Sequence, residues 1–232
     1  MATAGNHLIG LLPRAERLPL LSSLQRVTLA FGEALAEPGT ATRHVYFPID
    51  CFISLVTSLG GRPILEVGMV GREGLLGVQL ALGVPAVPLY ALVQGPGDAW
   101  RIGAPAFRRA LAGAPALGRL LDRYLYVLMV QFAASAACIR FHEIDQRLAR
   151  WLLMTRDRSG SNRFRITHEF LAYMLGVRRV GITTAAGALQ RRGLIEYHRG
   201  NVAILDPAGL QRTSCSCYAA NNLSYTQLLG TP

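Results

Sequence analysis

The residues best suited to chemistry lie in one stretch, His168–Gly187, which reads HEFLAYMLGVRRVGITTAAG. Arg178 and Arg179 lead it, and Val180, Thr183, Thr184 and Gly187 follow at the spacing of one helix face. A guanidinium is a planar fork of donors that fits a phosphate, or the O6/N7 edge of guanine. Val180 can touch a thymine methyl but cannot accept a hydrogen bond from cytosine. Gly181 costs about 1 kcal/mol of helix propensity relative to Ala, so it serves either a close backbone approach or helix packing. Downstream, His198 and Arg199 stand at a tight turn, placed for phosphate or minor-groove contact. This chemistry is recognition of a polyanion.

Such side chains need a rigid mount, and the same stretch supplies one. Two helices joined by a three-residue turn need a small residue where they approach and a positive-φ residue in the turn. Ala172 and Gly176 occupy those places, with Leu171, Leu175, Val177, Ile182 and Ala185 as the shared core. Thr167 is a good N-cap and Glu169 suits the first turn. The second helix is expected from about Arg179 to Arg192, with Arg178 a poor cap unless a phosphate serves instead. Gly193 ends it, and Leu194–His198, Arg199-Gly200-Asn201 and Val202–Leu205 read as strand, turn, strand: a wing.

Charge follows the motif. The 232-residue chain has a formal charge of +10, and all 24 basic residues are Arg. Residues 140–199 hold 12 Arg against 5 acidic residues, while residues 1–139 hold 11 against 8. A segment of +7 points to a separate basic module. With 51% hydrophobic and 16% charged residues, a sizeable core is available. The apolar run Leu125–Ile139 is short for a bilayer span and contains Gln131, and no secretory signal is read at the N-terminus. Cys51, Cys138, Cys215 and Cys217 form no disulfide framework and no four-ligand zinc spacing. Cys215-Ser216-Cys217 is either a redox pair or two free thiols in a disordered tail. A cytoplasmic protein with reduced thiols is expected.

The remaining elements must carry and pair this module. Residues 7–30 suggest short helices. From Glu33 to Ile102 Gly and Pro break the chain into β-rich runs: His44–Phe47, Phe52–Leu59, Ile64–Val70, Tyr90–Gln94 and Trp100–Ile102. These read as a small antiparallel barrel or jelly roll. Pro115 opens a long helix on which Leu117, Leu121, Tyr124, Leu128, Gln131, Ser135 and Cys138 form a heptad seam. The opposite side is apolar too, so one face is expected against the barrel and one against a second copy, with Gln131 setting register. A further helix carries Ile144, Leu148, Trp151 and Leu152 on one face, and Gln146, Arg147, Arg150 and Arg156 on the other. An enzyme of the metal-cupin kind is disfavoured, because His44 is the only His in the barrel stretch. A rival protein-interaction module whose winged helix has left DNA gives no reason for the local +7.

From about Asn6 to Leu210 the chain resembles the cyclic-AMP receptor protein/Fnr (Crp/Fnr) family of bacterial transcription regulators. The residues that carry this are His44-Val45-Tyr46-Phe47-Pro48, Ile53–Val56, Gly71-Arg72-Glu73-Gly74, Gln146–Leu153 and the helix–turn–helix. The resemblance implies an α+β fold. It comprises a cyclic-nucleotide-binding-like β jelly roll (1–114), a dimerisation helix (115–140), a winged helix–turn–helix (141–210) and a tail (211–232). It implies a homodimer on an inverted-repeat DNA operator, RNA polymerase as a partner if the protein activates, and no enzymatic activity. Arg179 matches the family's guanine-reading arginine, whereas Val180 and Thr184 stand where better-known members have Glu and Arg. Gly71, Glu73 and Gly74 match the ligand cassette only in part. No Arg or Ser lies between Gln79 and Gln94 to meet a cyclic phosphate, so no tight cAMP or cGMP binding is expected. No Cys precedes Cys51 to hold an iron–sulfur cluster, and no residue stands out as a haem ligand; no cofactor or metal is expected.

Overall fold

The computed structural model describes residues 5–60 and 62–231; residues 1–4, Gly61 of the expected Gly60-Gly61 turn, and Pro232 lie outside the described residues. Helices α1 (His7–Leu11) and α2 (Arg14–Ser22) lead into seven strands. These are β1 (Gln25–Leu29), β2 (Ala34–Ala36), β3 (His44–Pro48), β4 (Phe52–Leu59), β5 (Arg62–Val70), β6 (Tyr90–Gly95) and β7 (Gly97–Gly103). They form two antiparallel sheets, ordered β1-β7-β3 and β2-β6-β4-β5. Leu29, Tyr46, Ile53, Leu55, Val70 and Val93 fill the space between them, so the jelly roll is an ordinary sheet-on-sheet core. One expectation fails here: residues 25–29 are strand, not helix. Val27 and Thr28 favour the pleat, and all five residues pair with β7.

Helix α3 (Ala104–Ala112) precedes the long α4 (Pro115–Phe141). The α4 N-terminus lacks a side-chain cap of its own. Glu16 of α2 supplies one, accepting from the amides of Ala116 at 3.1 Å and Leu117 at 3.0 Å. By length and composition α4 could cross a bilayer. Nine of its 27 residues are buried within the chain, and the expected seam is among them. All seven seam residues are buried against the barrel and the C-terminal helix. Gln131 does not set register with a partner: its carbonyl accepts from the Met69 amide at 2.6 Å, pinning α4 to β5. The face left bare runs through Arg119, Asp122, Tyr126, Met129, Ala133, Ala136 and Arg140, also in steps of three and four.

The C-terminal half contains α5 (Ile144–Ser159), β8 (Arg163–Arg165), α6 (His168–Leu175), α7 (Arg179–Arg191), β9 (Ile195–His198), β10 (Asn201–Ile204), α8 (Pro207–Thr213) and α9 (Ser216–Leu229). Glu143 and Gln146 form a capping box that starts α5. On its expected polar face Arg147 and Arg150 are buried, while Gln146 and Arg156 are half-buried. Arg147 donates to the Leu175 carbonyl, and Arg150 donates to Ser135 Oγ at 3.2 Å. Nor is the tail disordered. Helix α9 packs along α4, Tyr225 donates to the Glu73 carbonyl at 2.6 Å, and Tyr218 donates to Asp157 at 2.7 Å.

Candidate nucleic-acid interface

The turn between α6 and α7 is built as its residue types require. Thr167 caps α6, accepting from the Phe170 amide at 3.2 Å. Gly176 ends it at φ 61°, a left-handed conformation that favours glycine, and a Cβ there would meet Leu65 of β5 at 2.8 Å. Val177 donates to the Ala172 carbonyl at 2.9 Å. Ile182, Ala185, Ala186 and Leu189 bury the inner face of α7. That burial fixes which residues face out: Arg178, Arg179, Val180, Thr183 and Thr184 are exposed, Val180 at 68%. Arg178 is the N-cap and makes no side-chain cap bond; its carbonyl accepts from the Gly181 amide at 2.9 Å, so an anion would be met by the Arg179 and Val180 amides ahead of it. Gly181 is half-buried, and a Cβ would meet Ile144 of α5 at 2.9 Å; its missing side chain lets α5 and α7 approach.

Strands β8, β10 and β9 form a three-stranded antiparallel sheet beside α7. His198 pairs with Asn201, so Arg199-Gly200 is a two-residue turn, with φ 49° at Arg199 and 82° at Gly200. Arg199 is the one non-glycine at positive φ among the described residues. His198 and Arg199 are both exposed at the wing tip.

The sequence reading missed His168. Its Nδ1 lies 3.0 Å from Thr183 Oγ1 and its ring stacks on Tyr197, centroids 4.3 Å apart. Tyr197 in turn donates to the Ile166 carbonyl at 2.6 Å. Burial first, and then the charge of Arg179, hold the imidazole below its ordinary pKa. This stack ties α6, α7 and the wing together and occupies the Thr183 hydroxyl, which also donates to the Arg179 carbonyl at 3.2 Å. A His at the N1 position of α6 was the available signal.

Gly71, Glu73 and Gly74 of the sensor cassette come together, but around the chain's own groups. Glu73 accepts from the Gly71 amide at 3.2 Å and pairs with Arg158 of α5 at 2.9 Å. A Cβ on Gly74 would collide with the Tyr124 hydroxyl. Glu73 thus holds its own turn and clasps the sensor to the C-terminal domain. It borders a cavity of about 540 Å3 shared by Arg72, Arg156, Arg158 and Tyr225.

An antiparallel jelly roll joined through a long helix to an arginine-fronted winged helix–turn–helix defines the fold class. Residues 146–213 match the family model of the Crp-like helix–turn–helix domain. No curated protein matches the sequence at a significant level. Solved structures share the fold. A protein assigned as a Crp/Fnr-family transcriptional regulator in Eubacterium rectale is 19% identical, with a TM-score of 0.68 over 91% of this chain and 99% of its own. The c-di-GMP-responsive global regulator CLP of Xanthomonas campestris is 16% identical, with a TM-score of 0.66 over 83% and 99%. A CRP-family transcriptional regulator of Thermus thermophilus is 23% identical, with a TM-score of 0.64 over 82% and 96%. Residues 146–213 thus carry a Crp-like helix–turn–helix domain, and the chain as a whole shares the fold of these solved structures.

Proposed function

We propose that the protein is a cytoplasmic, sequence-specific DNA-binding transcription regulator that works as a homodimer on an inverted-repeat operator. The observation that carries this is the α7 N-terminus. There Arg178, Arg179 and Val180 are exposed together on a helix whose other face is locked into the core. In this reading α7 enters the major groove, with Arg179 bidentate to a guanine and Val180 against a thymine methyl. Thr184 is the next outward residue. Thr183 contributes mainly by holding His168, Gly181 sets the depth of α7 against α5, and Arg178 meets phosphate. His198 and Arg199 carry the wing to the backbone or minor groove. The bare face of α4 pairs two chains, setting their recognition helices about 34–36 Å apart. Residues 1–114, 115–140 and 141–210 then act as sensor, pairing helix and reader. RNA polymerase is a further partner if the regulator activates.

The sensor does not bind cyclic nucleotides tightly, because the segment after Gln79 brings no cation to a cyclic phosphate. Calorimetric titration with cAMP should give no saturable heat, and micromolar affinity would contradict it. DNA reading is tested by fluorescence anisotropy with an enriched duplex and its scrambled counterpart at two salt concentrations. The wild-type chain should prefer the enriched duplex at both. Arg179→Ala should lose about 1–3 kcal/mol on that duplex alone. Equal losses on both duplexes would argue against base readout.

A further inference from the structure

Cys138 and the distant pair Cys215 and Cys217 meet at one point. Cys138 lies in the last turns of α4, and His142 follows four residues on as its C-cap. Cys215 is the N-cap of α9, and Cys217 lies in its first turn. The three thiols are buried and the imidazole is half-buried. Their four donor atoms all lie within 4.8 Å of one another. Cys138 Sγ is 3.5 Å from Cys215 Sγ, and Cys217 Sγ is 3.7 Å from His142 Nδ1. A tetrahedral ion with bonds of about 2.3 Å to sulfur and 2.0–2.1 Å to nitrogen has ligand–ligand edges of roughly 3.6–3.8 Å. The spacings of 3.5 and 3.7 Å lie close to those edges, and all four donors fall within 4.8 Å of one another. We infer that Cys138, His142, Cys215 and Cys217 form a mononuclear zinc-type site that fastens α9 to the end of α4.

The donor set favours zinc, which takes thiolate and imidazole in closed tetrahedra and makes no demand of its own on geometry. A bridged iron–sulfur cluster spreads its thiolates over separate irons, whereas these donors converge on one centre. Three thiolates, a neutral imidazole and a divalent ion leave a net charge of −1. The buried Arg150 guanidinium, in the same pocket as Cys138 and with its Nε unpartnered, sits ready to balance it. Placement gives the site its purpose. Cys138 and His142 immediately precede α5, and Cys215 and Cys217 immediately follow α8. The ion therefore ties together the two points where the chain enters and leaves the DNA-binding domain, fixing that domain's base on the long helix. An unmetallated chain would hold α9 by its side-chain packing and the hydrogen bonds of Tyr218 and Tyr225.

The test uses the untagged full-length chain, purified under reducing conditions and loaded with zinc. Native mass spectrometry should show one zinc ion per chain that survives dialysis. Cobalt in its place should give thiolate-to-metal charge-transfer bands and the intense d–d bands of a tetrahedral site. The Cys215→Ser/Cys217→Ser double variant should lose the ion, while Cys51→Ser, whose thiol lies between the two sheets of the barrel, should keep it. Chelation should lower the thermal midpoint of the wild-type chain, and zinc should restore it. If the double variant does not fold, the cobalt spectrum of the wild-type chain decides. Failure to retain zinc, cobalt bound without thiolate bands, or undiminished zinc in a folded double variant would each overturn the proposal.

Discussion

Arg199 occupies a backbone region that glycine favours, at the first position of a two-residue hairpin turn where Asn or Asp is the usual choice. Left-handed backbone costs a non-glycine residue roughly 1–2 kcal/mol, so the arginine is retained against its own conformational preference. Retention of a cation at an exposed wing tip fits a phosphate contact. Arg199→Gly should therefore raise stability in urea unfolding by up to about 1 kcal/mol, and weaken binding to every duplex alike. It should also reduce the salt dependence by about one counterion. A variant that binds DNA as well as the wild type would remove Arg199 from the interface. At this scale most of the reader was legible, because Thr167, Ala172, Gly176 and Ile182 are residue types that the turn geometry demands. What escaped were pairs that only folding creates. Thr183 counted as a free outward hydroxyl until His168 proved to hold it. Cys138 and Cys215, 77 positions apart, counted as unrelated thiols. The i, i+4 spacing of Cys138 and His142 on one helix was the signal within reach.

The elements show how a correct pattern can be assigned to the wrong partner. The heptad on α4 is real, yet its seam lies against the barrel and α9, because α9 is a folded helix rather than a tail. A second stripe, offset around the same helix, is the exposed one. It includes Tyr126 at 56% and Met129 at 65% exposure. Met129→Glu should put like charges opposite one another in a paired assembly, a cost of several kcal/mol that raises the dimer Kd about a hundredfold or more. Sedimentation velocity should register this as monomer, and the wild type as dimer. An unchanged assembly would move the interface elsewhere. The contact between β5 and α5 carries a second expectation. Glu66 accepts from Ser54 and from Trp151 Nε1 at 2.9 Å, and its enclosure pushes the carboxyl up to about 7. An unfolded Glu titrates near 4.5, so the fold favours the protonated form. Its contribution to stability is full below that value and is lost as pH rises through 7. Relative to wild type, Glu66→Gln should therefore gain thermal stability between pH 5 and pH 8. A difference that does not change with pH would show Glu66 ionised at little cost.

Across the whole molecule, the barrel and the C-terminal domain are joined at several places besides the connecting chain. Glu73 meets Arg158, Glu66 meets Trp151, and Leu65 packs beneath Gly176 of the helix–turn–helix. The order of domains was legible from composition alone: short strands broken by Gly and Pro, then a long apolar helix, then an arginine-rich segment. The contacts that join those domains were not, because they link residues 85 to 111 positions apart whose types suggest nothing singly. Burial of Arg147 and Arg150 on the polar side of α5 belongs with them, since it depends on Leu175 of α6 and Ser135 of α4. Reading of DNA by α7 is the claim on which the rest depends. Its most direct test is selection of bound duplexes from a random library by the full-length chain at modest ionic strength, with Arg179→Ala selected in parallel. The wild type should enrich an inverted repeat whose half-sites lie about one helical turn apart, and Arg179→Ala should enrich the same repeat with one base relaxed in each half-site. A wild-type pool no different from the starting library would contradict the account.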